Sequence, residues 1–278
     1  MTVGNRPLAA RGTIAPTPPM SSPPLRFFTF ASPARFYGLA GALIPWCWAA
    51  FALLAAAGLY IGFFVAPTDA TQGESYRIIF IHVPAAWMSM LLYLVMAFWA
   101  AIGWAFNARL ASMTARAIAP TGAMFTFLAL WTGALWGKPT WGTWWVWDAR
   151  LTSELILLFL YAGFLSLVSA IDDPRRADRA GALLAIVGSI NVPIIYFSVK
   201  WWNTLHQGAT VSVTAAPKMA STMLTAMLLM SLAFWAYAFA VVFTRTRAIV
   251  LERDGHAGWA REAAQVGPRS AGNPGMQT

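Results

Sequence analysis

Apolar residues fall into six long blocks along the chain, at about 44–65, 83–105, 119–137, 151–171, 181–200 and 219–243. Each is close to the ~20 residues that an α-helix needs to cross the hydrocarbon core of a bilayer. The pattern predicts an all-α integral membrane protein, a bundle of six transmembrane helices whose short connections make chain neighbours antiparallel. Residues 1–36, rich in Pro, Ser and Ala, read as a disordered cytoplasmic tail. No short apolar stretch with a small-residue cleavage site follows the early arginines, so a signal peptide is not expected. The membrane domain is expected over residues 37–245. Residues 246–278 form a C-terminal cytoplasmic tail that begins basic and turns Gly- and Pro-containing, a short amphipathic extension with a frayed end.

Composition agrees: 59% of the residues are hydrophobic and only 10% charged, with a mean hydropathy of +0.59, whereas soluble domains carry about 25% charged residues. The net charge of +9 would suggest nucleic acid in a soluble protein; here its distribution matters more. The N-terminal tail, 106–118, 172–180 and 244–278 hold fourteen arginines, Arg6, Arg11, Arg26, Arg35, Arg109, Arg116, Arg175, Arg176, Arg179, Arg245, Arg247, Arg253, Arg261 and Arg269. The alternate segments hold Arg77, Lys138, Arg150, Lys200 and Lys218. Basic residues concentrate on the cytoplasmic side, so both termini are expected inside and the segments near 66–82, 138–150 and 201–218 outside. Cys47 is the one cysteine and lies in the first apolar block. The chain therefore has no internal disulfide and no C-x-x-C-H for covalent haem attachment.

The most unusual outer segment is Trp141-Gly142-Thr143-Trp144-Trp145-Val146-Trp147-Asp148, followed by Ala149-Arg150. Its Gly, Asp and Arg exclude a buried span, and four indoles are ill suited to open water. An interfacial aromatic belt accounts for any one of them. The density of four in one loop suggests instead an apolar platform for a large planar ligand, with Asp148 and Arg150 at its edge. Asp148 also suits the N-cap of the fourth helix, with Glu154 favourable in the first turn.

Two of the three histidines share this face. His82 stands at the mouth of the second span, where Pro84 predicts a helix starting just after it, and His206 stands in the last outer segment. Imidazoles from two elements can be the two axial ligands of a haem iron, with aromatic side chains covering the porphyrin. Arg150, Lys138, Arg77 and Lys200 lie near enough to suit haem propionates; snorkelling to the interface accounts equally for basic residues there, and better for Lys200 and Lys218. His256, in the C-terminal tail, reads as a solvated surface residue.

Other machinery is missing from the sequence. Gly133-Ala134-Leu135-Trp136-Gly137-Lys138 has three residues between its glycines where a P-loop has four, and Pro139 stands in place of the Ser/Thr. No intramembrane run of acids or arginines marks an ion path. Asn191, Pro193 and Ser198 make the fifth span the most interrupted, and a kink at Pro193 needs no functional explanation. A solute permease would need a polar midplane site, and none is visible. A b-type haem electron carrier remains the alternative to a haem-transfer protein.

Trp141, Gly142, Trp145, Trp147 and Asp148 fit the W-G-x-x-W-x-W-D signature of the WWD haem-handling family, and Ala149 to Glu154 continue it. With six spans and one His on either side of the motif, the chain resembles the haem exporter protein C family of bacterial cytochrome c maturation over roughly residues 36–245. The resemblance implies a non-enzymatic, multi-pass subunit of a bacterial inner-membrane ABC-type complex. Such a subunit binds haem b, as transported ligand, on the periplasmic face and delivers it to a membrane-tethered haem chaperone. It implies His82 and His206 as iron ligands, with Trp141, Trp144, Trp145, Trp147, Asp148 and Arg150 around the haem. Implied partners are that chaperone, an ATPase subunit, a second membrane subunit, a small single-span subunit and the lipid bilayer, with no nucleic acid.

Overall fold

The computed structural model describes residues 32–202, 204–206 and 219–265. Arg6, Arg11, Arg26, Lys218 and Arg269 lie outside them. Regular structure among the described residues is helical, with no strand. The helices are α1 (Pro33–Tyr60), α2 (Ile79–Phe106), α3 (Arg109–Trp141), α4 (Ala149–Ala170), α5 (Pro174–Gly188), α6 (Asn191–Trp201), α7 (Ser221–Asp254) and α8 (Gly258–Gln265). Six spans long and apolar enough to cross a membrane result, α5 and α6 together making the fifth.

Both ends of the membrane domain are more helical than the apolar pattern suggests. Residues 33–36 of the expected tail already belong to α1, because Ser32 is an extended N-cap and Pro33 sits at the first helical position, where its missing N–H costs nothing. At 34 residues α7 spans about 51 Å at 1.5 Å per residue, well beyond a ~30 Å hydrocarbon core, so residues 246–254 are helix and not tail. Ion pairs hold that overhang: Arg253 makes a two-pronged pair with Asp178 at 2.7 and 2.8 Å, and Asp254 pairs with Arg109. Trp259 of α8 lies 6.1 Å from Tyr37 of α1 and closes this end of the bundle.

The core lies along α2, which packs on α3, α5 and α7, while α4 packs on α3, α5 and α6. α1 leans chiefly on α7 and turns most of its surface outward. α2 and α4 are bridged by side chains, with polar contacts among them. Tyr161 is fully buried and donates to the Ser89 carbonyl at 2.8 Å, its ring edge-to-face with Tyr93 at 4.9 Å. Gly122 of α3 leaves the room that ring needs: a Cβ there would fall 2.2 Å from the phenol oxygen.

Two helix starts differ from expectation. α2 begins at Ile79, after a 3-10 turn Glu74–Ile78, so His82 lies within the helix and does not precede it. The cause is burial of Phe80, which is fully enclosed against Gly62 and Tyr76 and draws the helix back past Pro84. Pro84 has no N–H for the Phe80 carbonyl, a loss the helix tolerates so near its start. In the fifth span the interruption falls at Ser189–Ile190, not at Pro193. A proline removes the donor for the carbonyl four residues back and clashes with it, and that carbonyl belongs to Ser189. Asn191, buried at the break, donates to the Ser153 carbonyl of α4 at 2.9 Å, which fixes the break against α4.

Candidate functional site

One end of the bundle collects the segment after α1, the α3–α4 loop and residues 202 and 204–206 after α6. Arg77 belongs to the first of these. It donates to the carbonyls of Gly62, at 2.6 Å, in the wide last turn Ile61–Val65, and of Ala66, at 3.1 Å, which caps that turn, and it pairs with Glu74. A cation is favourable on such unsatisfied carbonyls. Arg77 is thus engaged in closing α1 and not free for a ligand.

A cleft of about 420 Å³, partly open to solvent, lies between α2, α3 and α4 and is lined by His82, Gly133, Arg150, Leu151, Glu154 and His206 among others. His82 and His206, 124 residues apart in the chain, meet across it.

The surroundings of His82 dictate its tautomer. Nδ1 is 3.1 Å from the Ala129 carbonyl and 3.1 Å from the Thr132 hydroxyl. The carbonyl can only accept. The single Thr132 proton goes to the Leu128 carbonyl at 2.6 Å, so this hydroxyl also faces His82 as an acceptor. Nδ1 therefore carries the proton, and Nε2 keeps a lone pair with no hydrogen-bond partner among the described residues. Trp136 stands edge-to-face on the ring at 5.6 Å and donates its own Nε1–H to Gln72 at 2.8 Å, tying His82 and the first loop together.

His206 is held by Asp148. Thr204 donates its hydroxyl proton to Asp148 Oδ2 at 2.5 Å and accepts the His206 backbone N–H at 3.0 Å. His206 Nδ1 is 3.5 Å from the same carboxylate oxygen, a long contact whose only available sense is imidazole to carboxylate. Again Nε2 is left with its lone pair. Asp148 Oδ1 meanwhile accepts Leu151 N–H at 2.8 Å as N-cap of α4, so the carboxylate caps the helix and orients the imidazole at once. Burial pushes its pKa up, but the bonds from Leu151 and Thr204 and the neighbouring His206 outweigh this and hold it below the usual carboxylate value. Burial, assisted by the Arg150 charge and opposed by Asp148, lowers His206 below its usual value and favours the neutral ring. Neutral imidazole is the metal-binding form.

The four indoles do not share one plane. Trp141 meets the His206 ring at 4.9 Å. Trp145 and Trp147 stand edge-to-face at 5.4 Å and 77°, Trp144 is 53% and Trp147 77% exposed, and none lines the cleft itself. The turn follows from Gly142, whose φ of +79° ends α3 in the left-handed region that favours glycine. Lys138 stays on this turn, donating to the Gly142 carbonyl at 3.1 Å with its ammonium 6.0 Å over Trp144, and does not enter the cleft. Arg150 does enter; one N–H goes to the Ile195 carbonyl of α6 at 3.0 Å. Lys200 lies on the last turn of α6, 5.7 Å over the Phe197 ring. His256 is exposed at the opposite end of the bundle.

Glu154 was assigned only a helix-dipole role from sequence, yet it lines the cleft. Its spacing from Arg150 could have indicated this, because residues four apart share a helix face. Thr132, Trp136 and Thr204 carried no comparable signal, since each acts through a contact between elements distant in the chain.

Residues 26–261 match the family model for heme exporter protein C. Over 180 residues the chain is 54% identical to heme exporter protein C of Escherichia coli K12, covering 65% of this chain and 74% of that one. It is 50% identical over 204 residues to the protein of that name from Bradyrhizobium diazoefficiens, covering 73% and 77%. With that from Haemophilus influenzae it shares 42% over 237 residues, covering 85% and 96%. A helical bundle of six spans, four tryptophans at the junction of α3 and α4 and a match along most of the chain agree: it belongs to the heme exporter protein C family.

Proposed function

We propose that this protein holds haem b between His82 and His206 on the periplasmic face of a bacterial inner membrane and passes it to a membrane-tethered haem chaperone for cytochrome c maturation. The observation that carries this reading is the pair of imidazoles on one cleft, each with Nδ1 facing its own acceptor. Such outer partners orient a ligating ring and raise its basicity. Arg150 is the cleft cation suited to a propionate, since guanidinium matches carboxylate geometry. Trp141 braces the His206 ring. The exposed Trp144 and Trp147 flank the cleft, where they can cover the porphyrin edge or meet the incoming chaperone. ATP hydrolysis belongs to a partner subunit, and a second membrane subunit and a small single-span subunit complete the exporter.

The outward orientation rests on the basic residues, which among the described residues crowd the end of the bundle opposite the cleft, as cytoplasmic segments do. Reporter fusions after residues 110, 145, 176 and 210 should alternate inside, outside, inside, outside. An inside signal at 145 would refute a periplasmic site.

Hand-over gives a direct functional test. Apolar contact contributes roughly 25 cal/mol per Å² covered and is non-directional, so indoles can hold a porphyrin while letting it slide out edgewise. Trp145→Ala with Trp147→Ala should lower both the haem retained and the haem passed to co-expressed chaperone several-fold, at an unchanged membrane level of the protein. Retention and transfer equal to the parent would reduce these indoles to an interfacial belt. An absorbance spectrum that showed haem but no transfer under any condition would favour the electron-carrier reading.

A further inference from the structure

We propose that Glu154 is a positioning residue that keeps the bound haem transferable, by competing with a haem propionate for Arg150; the inference rests on the haem-binding reading above. Arg150 and Glu154 lie four apart on α4 and line the cleft together with both histidines. Glu154 is 7% exposed, and its Oε1 accepts from the Ser89 hydroxyl at 2.7 Å. That hydroxyl has one proton and also lies 2.8 Å from the Ala86 carbonyl, so it satisfies Glu154 only in part. Oε2 has no hydrogen-bond partner among the described residues. Arg150 in turn places one N–H on Ile195 and is in no ion pair within 4.0 Å among the described residues, so its remaining donors are open to the cleft.

A buried acid this poorly partnered is expensive and keeps its charge only with a cation close by. Arg150, one turn away on the same cleft, supplies that cation. The fold has no other need of the charge, since a glutamine amide would accept from Ser89 equally well. The charge matters when an anionic ligand arrives. Haem carries two propionates. A carboxylate beside Arg150 opposes the propionate that approaches the guanidinium, and it offers the guanidinium a substitute partner when that propionate leaves. A site built only for retention would be better without it. A site built for transfer needs the bound state raised relative to departure.

The test uses the full-length protein in detergent, loaded with haemin and then mixed with excess apo-globin as scavenger, so that the rate of haem loss is read by absorbance. Glu154→Gln should slow that loss on the order of tenfold, and Glu154→Asp should restore the fast rate. With haemin dimethyl ester, which has no propionate charge, parent and Glu154→Gln should release alike. A parent that takes up no haemin overturns the functional reading and this inference with it. A haem-binding parent matched or exceeded in release rate by Glu154→Gln overturns this inference alone, as does equal slowing with the ester. Should Glu154→Gln fail to accumulate in membranes, Ser89→Ala carries the test in the opposite direction. Untying the carboxylate lets it turn to Arg150, so haemin should leave faster than from the parent, and an equal or slower rate overturns the proposal.

Discussion

Purified His82→Ala and His206→Ala proteins are expected to lose the low-spin haem spectrum, each retaining at least about tenfold less haem than the parent. Loss of a mere supporting contact to a metal ligand costs about 10–100-fold in affinity, so loss of the ligand itself should cost no less. The two variants should differ in what they leave behind. His82→Ala frees the Ala129 carbonyl, which keeps its place in α3, and removes the ring on which Trp136 stands. His206→Ala leaves Asp148 still capping α4 and still bonded to Thr204, so the cleft should keep its shape. Exogenous imidazole should therefore restore the low-spin spectrum more readily in His206→Ala. His256→Ala, at the far end of the bundle, should change nothing. Parental spectra in both single variants would eliminate two-histidine ligation.

The six spans were legible because each carries its evidence locally: about twenty apolar residues, with charge gathered at the ends. The Trp loop was legible as density in sequence, but its shape was not. Whether four indoles form a platform depends on the turn at Gly142 and on which rings find a neighbour, and only Trp141 reaches a histidine. Pro84 and Pro193 show the limit of local rules from the other side. Each proline forfeits a hydrogen bond where expected, but burial of Phe80 and the carbonyl of Ser189 decide where the helix starts or breaks. The pairing of His82 with His206 needs the whole bundle, because contacts with α3 and α4 bring α2 and the segment after α6 to one cleft. For Asp148, helix cap and site residue stood as alternatives in the sequence. Two carboxylate oxygens allow both at once, one on Leu151 and one on Thr204.

That division of labour gives Asp148 substitutions the second large expected effect, and lets the two roles be separated. Asp148→Ala removes both oxygens. The lost cap should cost about 1 kcal/mol of stability, and the lost support for His206 should cost about 10–100-fold in haem affinity. Asp148→Asn discriminates between them. Asparagine caps helices about as well as aspartate, and its Oδ1 can still accept from Leu151 N–H. The amide nitrogen then occupies the place of Oδ2, where it can only donate. It cannot take the proton of Thr204, and it meets the Nδ1–H of His206 donor to donor. His206 then either turns away or shifts its proton to Nε2, and in both cases the ligating lone pair leaves the cleft. Asp148→Asn should accordingly unfold at the parental temperature when haem-free, yet bind haemin as poorly as Asp148→Ala. Thermal unfolding of the haem-free protein and a haemin titration measure the two effects independently. If Asp148→Asn bound haemin like the parent, Asp148 would be a helix cap alone, and the orientation of His206 would have to come from Trp141, whose indole lies 4.9 Å from the ring.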